Sequence, residues 1–134
     1  MIVKQFKTED YAMLQDWWTK HNHMSIPKES LSPIGITIFD EETPSCIGFI
    51  YVMPNCDMAQ IAWTTTNPEI SLRKRYKAMD TCINALLQYA YINGRKNIIC
   101  FSKSSGLSKM LRKKGLAQMT PHSLLMGTFS QENS

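Results

Sequence analysis

From Met79 to Ala90 the apolar residues Met79, Cys82, Ile83, Leu86, Leu87 and Ala90 recur at i, i+3, i+4, i+7, i+8 and i+11. That spacing lays one apolar stripe along an α-helix. A β-forming segment stands on each side, "MAQIAWTTT" before it and "NIICFS" after it. A helix between two strands of one sheet carries the chain back to its starting end, so the two strands are expected to run parallel through a right-handed crossover. Ser71 stands where an N-cap belongs, and Gly94 is the stop signal. This unit points to an α/β fold.

The rest of the chain supplies the other elements. "IVKQF" alternates and reads as a first strand. "KTEDYAMLQDWWTKH" reads as a helix with Thr8 as N-cap, Glu9 and Asp10 in its first turn, and a buried aromatic face of Tyr11, Leu14 and Trp18. Trp17 and Trp18 are adjacent and cannot share a face. One is expected in the core; the other, with Met24, Ile26 and Pro27, belongs either to a covered satellite cluster, the favoured alternative, or to an acceptor groove or partner surface. "IGITIFD", "SCIGFIYVM" and "MAQIAWTTT" are joined by the short turns "DEET" and "PNCD", so they pair as an antiparallel meander. The middle strand, with Phe49 and Tyr51, is apolar on both faces. "SSGLSKMLRKKGL" reads as a short helix ending at Gly115, and "AQMTPHSLLMGTF" as one or two closing strands. The order β-α-βββ-α-β-α-β(β) gives a mixed, mostly antiparallel sheet flanked by helices. No linker interrupts residues 1–134, which are read as a single domain.

The 134 residues suffice for one core, and a hydrophobic share of 43% fits a folded chain. No apolar run reaches the roughly 18 residues of a membrane span. The first ten residues contain acids and no apolar stretch, so a secretory leader is not expected and the chain is placed in the cytoplasm. Cys46, Cys56, Cys82 and Cys100 form no C-x-x-C pair and read as reduced, mostly buried thiols. The histidines His21, His23 and His122 lack zinc-site spacing, so no metal is expected.

The charge is unevenly spread. Residues 73–114 hold eleven of the fifteen Lys and Arg with one acid, Asp80, whereas residues 1–72 hold four Lys and nine acids. The basic half is suited to a phosphorylated cofactor, a nucleic acid or an acidic protein. The run Arg73, Lys74, Arg75 and Lys77 falls at a helix start, where the dipole and the uncapped N–H groups already attract anions. Lys109, Arg112, Lys113 and Lys114 read as a solvated face. Nucleic acid ranks last as a partner, because only Tyr76 interrupts the basic run with an aromatic ring and no nucleic-acid motif is present.

In element order over nearly its whole length the chain resembles the Gcn5-related N-acetyltransferase (GNAT) superfamily. "TNPEIS" resembles the family's exit from its fourth strand. "LLQYAYINGRKNIICF" resembles its helix, glycine and following strand, and "SSGLSKMLRKKGL" its segment N-x-x-A-x-x-L-Y-x-K-x-G-F, aligned on Gly115. The resemblance implies an acetyl-CoA-dependent acyltransferase acting by direct transfer on a small-molecule or protein amine. Trp63, Thr64 and Thr65 would offer backbone groups to the pantetheine arm. Arg73, Lys74, Arg75, Tyr76, Lys77 and Ala78 stand where the family has its phosphate loop, Q/R-x-x-G-x-G/A. Tyr76 occupies the first glycine position, Leu111 that of the tyrosine that reprotonates the thiolate, Ser104 that of the asparagine and Leu116 that of the final Phe.

Acetyl transfer needs a hydrogen bond to the thioester oxygen and a group to take the amine proton. Ser102, Ser104 and Asp57 are the catalytic candidates, with Glu69, His21 and His23 as further bases; for the serines the bland alternative is helix capping. A second reading is a catalytically inactive member, a compact bacterial or phage protein that binds a protein partner. Monomer and homodimer are both compatible with the apolar segment "HSLLMGTF".

Overall fold

The computed structural model describes residues 1–102 and 104–117; the expected closing strands, and His122, lie outside the described residues. The chain divides into two compact units, the second beginning at Phe101.

The first unit is built on a sheet of five strands in the order β1-β2-β3-β4-β5: β1 (Ile2–Gln5), β2 (Gly35–Asp40), β3 (Thr43–Val52), β4 (Met58–Thr66) and β5 (Asn97–Cys100). β1 to β4 pair antiparallel, and β4 pairs with β5 in parallel. The meander and the crossover are as the turn lengths and the helical stripe require. The short turns leave no room for anything but antiparallel neighbours, and the helix α2 (Leu72–Ile92) returns the chain for the parallel one.

Each helix takes one face of the sheet. On α2, Ala78, Cys82, Ile83, Leu86 and Ala90 are buried, and the helix lies on β3. Gly48 of β3 permits that approach: a Cβ there would stand 2.6 Å from Cys82 Sγ. Ser71 caps α2, its hydroxyl accepting the Lys74 N–H at 3.3 Å, and Gly94 at φ +72 ends it.

The first helix, α1 (Tyr11–Lys20), starts differently from the expectation at Thr8. A 3₁₀ turn at Thr8–Asp10 precedes it, and the Lys7 N–H donates to Asp10 Oδ2 at 3.1 Å. Asp10 rather than Thr8 closes this end, because its longer side chain reaches back over three residues. Both tryptophans are core: Trp17 is 4% and Trp18 2% exposed. With Leu14, Ile26, Ile47 and Phe49 they form one cluster, so of the two alternatives the covered cluster is the one that forms, and of that set Met24 and Pro27 stay exposed. The wide aromatic stripe covers more than one helical position, which adjacency alone does not forbid.

In the second unit, α3 (Ser105–Lys113) buries Leu107, Met110 and Leu111 and keeps Lys109, Arg112 and Lys113 exposed. No described helix is long and apolar enough to cross a membrane.

Candidate functional site

Strand β4 changes its register with β3 midway. Phe49 stands opposite Ala62 but Ile47 opposite Thr65, so Gly48 faces two residues, Trp63 and Thr64. This is a β-bulge on β4. Trp63 sits in the left-handed region at φ 59, where a bulky residue costs about 1–2 kcal/mol.

The bulge re-aims the backbone. Before it, the Met53 N–H donates to the Met58 carbonyl at 3.1 Å, so Met58, Gln60 and Ala62 present their polar groups to β3. Ala59 and Ile61 then face β5 and pair with Ile98 and Cys100. Beyond the bulge, the Asn67 N–H donates to the Ser45 carbonyl at 3.0 Å, so Thr65 and Asn67 face β3 and Thr64 and Thr66 face the opposite edge. On that edge no described strand pairs with β4 past Ile61. The N–H and C=O of Thr64 therefore point from the unpaired edge of β4, at the place where β5 ends.

Of the three strand residues expected to serve a ligand through their backbones, Thr64 has this aim and Thr65 does not. Thr65 is 4% exposed and faces β3; its hydroxyl donates to the Trp63 carbonyl at 2.9 Å and accepts the Trp18 indole N–H at 3.0 Å. The alternation of a strand dictates this difference, because neighbouring residues cannot both address one edge. The Thr64 hydroxyl is buried without a hydrogen-bond partner, on the face where α2 packs against Gly48.

The basic run lies at the start of the helix, as expected. Residues 73–78 form the first turns of α2 itself. Arg73, Lys74 and Lys77 are exposed, and Ala78 is buried against the sheet side. Arg75 turns back: its Nε donates to the Ile70 carbonyl at 2.9 Å and its Nη2 to the Pro68 carbonyl, which braces the β4–α2 connection. Tyr76 is 42% exposed. The first turn of α2 leaves the N–H groups of Leu72 and Arg73 without helical acceptors, since Ser71 caps only Lys74.

The catalytic candidates fall in both units. Asp57 lies in the turn before β4, hydrogen-bonded by Asn97 Nδ2 at 2.9 Å. Seven residue steps of strand, about 23 Å at about 3.3 Å each, separate it from Thr64. Ser102 and Ser104 belong to the second unit. There the Ser104 hydroxyl caps α3, accepting the Leu107 N–H at 3.3 Å, while the Ser102 hydroxyl donates to the Ser104 carbonyl at 3.2 Å. Glu69 pairs with Lys20 at 3.0 Å on the surface.

Among the base candidates, His21 is bonded to β4. Its Nε2 lies 2.8 Å from the Thr66 carbonyl. A carbonyl only accepts, so Nε2 carries the proton of this bond. The ring of His23 stacks on it with centroids 5.7 Å apart. This contact, and those of Trp18, Trp63 and Tyr51 with their distant partners, had no local signal in the sequence.

No family model matches the sequence, and no curated protein is similar to it. Solved structures do superpose. A Mycobacterium tuberculosis protein in complex with CoA and NLQ matches with a TM-score of 0.73 at 10% identity, over 93% of this chain and 76% of that one. N-acetylglutamate synthase from Neisseria gonorrhoeae, complexed with coenzyme A and N-acetyl-glutamate, gives 0.67 at 11% identity, over 83% of this chain and 27% of that one. Ribosomal-protein-alanine N-acetyltransferase from Brucella melitensis gives 0.62 at 8% identity, over 86% and 83%.

Proposed function

We propose that this chain, which has the Gcn5-related N-acetyltransferase fold, binds acetyl-CoA and transfers its acetyl group directly to an amine of a small molecule or protein. The observation that carries this reading is the bulge at Trp63 and Thr64 where β4 loses its β5 partner. An unpaired strand edge offers main-chain donors and acceptors to an extended amide-bearing arm, in the manner of an added strand. The fit is supported by two further features. The buried Thr64 hydroxyl lacks a partner beside the bulge. The start of α2 combines uncapped N–H groups with the exposed side chains of Arg73, Lys74 and Lys77.

Each group then has a role in the reading. The Thr64 N–H donates to the acyl oxygen, where charge builds as the amine attacks. The N–H groups of Leu72 and Arg73, with Arg73, Lys74 and Lys77, hold the pyrophosphate and the 3′-phosphate. Arg75 keeps the connection rigid rather than contacting the ligand with its Nε. Acetyl-CoA, when bound, supplies an activated acyl carbon whose C–S bond breaks as the acceptor's C–N bond forms. The amine proton leaves to water, and water reprotonates the thiolate, since Leu111 offers no hydroxyl.

A second reading, a GNAT-fold protein without catalysis that binds a protein partner, draws on Tyr76 at a glycine position and on Leu111, which is buried. Calorimetric titration of acetyl-CoA, with CoA and ATP as controls, separates the two. Micromolar binding that prefers acetyl-CoA supports the enzyme. No heat at millimolar ligand rejects it and leaves the binding protein.

A further inference from the structure

Trp63 is a bulky residue held in a conformation it does not favour (φ 59), and the groups that hold it come from far along the chain. Its indole N–H donates to the Tyr51 hydroxyl at 2.8 Å, and that hydroxyl donates to the Ser30 carbonyl at 2.6 Å. A phenol has one proton, so the direction of this relay is set: Trp63 to Tyr51 to Ser30. Ser30 ends the 3₁₀ turn Lys28–Ser30. The segment around that turn is seated on the same face: Ile26 is 4% exposed, and the Ser32 hydroxyl, 7% exposed as a residue, donates to the Ile50 carbonyl at 2.5 Å. On the other side of the bulge, the Thr65 hydroxyl donates to the Trp63 carbonyl and itself accepts the Trp18 indole N–H.

Strain of this kind persists only where surrounding contacts over-determine it. The Thr65 clamp fixes the carbonyl of Trp63, but nothing in it fixes the side chain. The indole ring packs against the core cluster, its N–H is held by Tyr51, and the Tyr51 hydroxyl in turn is held by the Ser30 carbonyl of the seated segment 26–34. From this we infer that Tyr51 is a positioning residue: it locks Trp63 in its left-handed conformation against the segment 26–34, and so aims the Thr64 N–H at the acyl oxygen. The inference rests on the acetyl-CoA reading for its last clause and on the hydrogen bonds alone for the rest. Tyr51 does not touch the ligand. It makes the quality of the bulge depend on the seating of a segment more than twenty residues earlier in the chain.

The test is Tyr51→Phe, which keeps the ring and removes both bonds. Affinity for acetyl-CoA is expected to hold within about twofold, because the phosphate contacts and the strand edge remain. Turnover is expected to fall about tenfold or more, the scale on which small misplacements of catalytic groups act. The carbonyl stretch of bound acetyl-CoA, labelled with carbon-13 at the carbonyl, should move back toward its free value in the variant. Trp63→Phe should do the same, and the double variant should be no worse than either single one, since all three break one relay. A carbonyl stretch unchanged by Tyr51→Phe overturns the inference. If the wild-type protein binds no acetyl-CoA, the functional reading fails, and the relay is judged without ligand. Backbone carbon chemical shifts of Trp63 report its left-handed conformation; their persistence in Tyr51→Phe overturns the inference, and their move toward extended values sustains it.

Discussion

Gly48 sets how near α2 comes to the sheet. An added Cβ would stand 2.6 Å from Cys82 Sγ and 3.1 Å from Leu86 Cδ1, both below ordinary contact. Gly48→Ala therefore overpacks the core, and a loss of about 1–3 kcal/mol is expected from urea unfolding. Gly48→Ala combined with Cys82→Ala removes the nearer clash and should recover part of that loss. The thiols make a second prediction. Burial pushes Cys100 up to about 11 from 9.0, and burial with the Cys82 side chain alongside pushes Cys46 well up. A raised thiol holds its proton longer in the folded chain than in the unfolded one. Its stabilising effect is complete below pH 9 and is lost as pH climbs toward about 11. Melting temperatures should fall through that window, and more shallowly in Cys100→Ala. Exposed Cys56 should react first with a thiol reagent at neutral pH, and buried Cys46 and Cys82 only on unfolding.

At the scale of elements, α2 shows why some parts of this fold could be read in advance. Its stripe is periodic, its cap is local and its stop is a glycine, so every signal lies within a few residues of what it controls. The meander was legible for the same reason, through its turns. β4 was legible as a strand but not as a bulged one. The bulge arises from its register with β3 and from Gly48, and nothing in "IAWTTT" announces it. The same limit hid the Trp18–Thr65 and His21–Thr66 bonds, each of which spans more than forty residues of sequence. It also hid the turn of Arg75: the charge was visible, but not that its guanidinium reaches back to the carbonyls of Ile70 and Pro68. This yields a prediction for α2. Ser71→Ala should cost about 1 kcal/mol of stability through the lost cap. Arg75→Ala should lower the melting temperature by freeing the carbonyls of Pro68 and Ile70, whereas Arg73→Ala, at an exposed position, should leave it unchanged. In acetyl-CoA titrations the ranking should reverse, with Arg73→Ala the weaker binder; equal losses for both would remove the distinction between brace and ligand.

For the whole molecule the uneven charge decides how a ligand is met. Eleven of the fifteen basic residues fall within residues 73–114, and nine of the eleven acids precede them. A net +4 is modest, but the four basic residues Arg73, Lys74, Arg75 and Lys77 at the start of α2 set up a local positive field that reaches about a Debye length, some 8–10 Å in physiological salt. A ligand bearing several phosphate charges is drawn there before it touches the strand edge. Two contributions to affinity then have different signatures. The phosphate end is ionic and screened by salt, whereas main-chain pairing along β4 is not. Raising salt should weaken acetyl-CoA binding down to a floor, and the triple variant Arg73→Ala, Lys74→Ala, Lys77→Ala should start near that floor with little salt dependence left. Single replacements should each remove a fraction of the slope, and Tyr51→Phe none of it. If the triple variant keeps the wild-type slope, the phosphates are held elsewhere in the basic half, and the start of α2 is a solvated face and not an anion site.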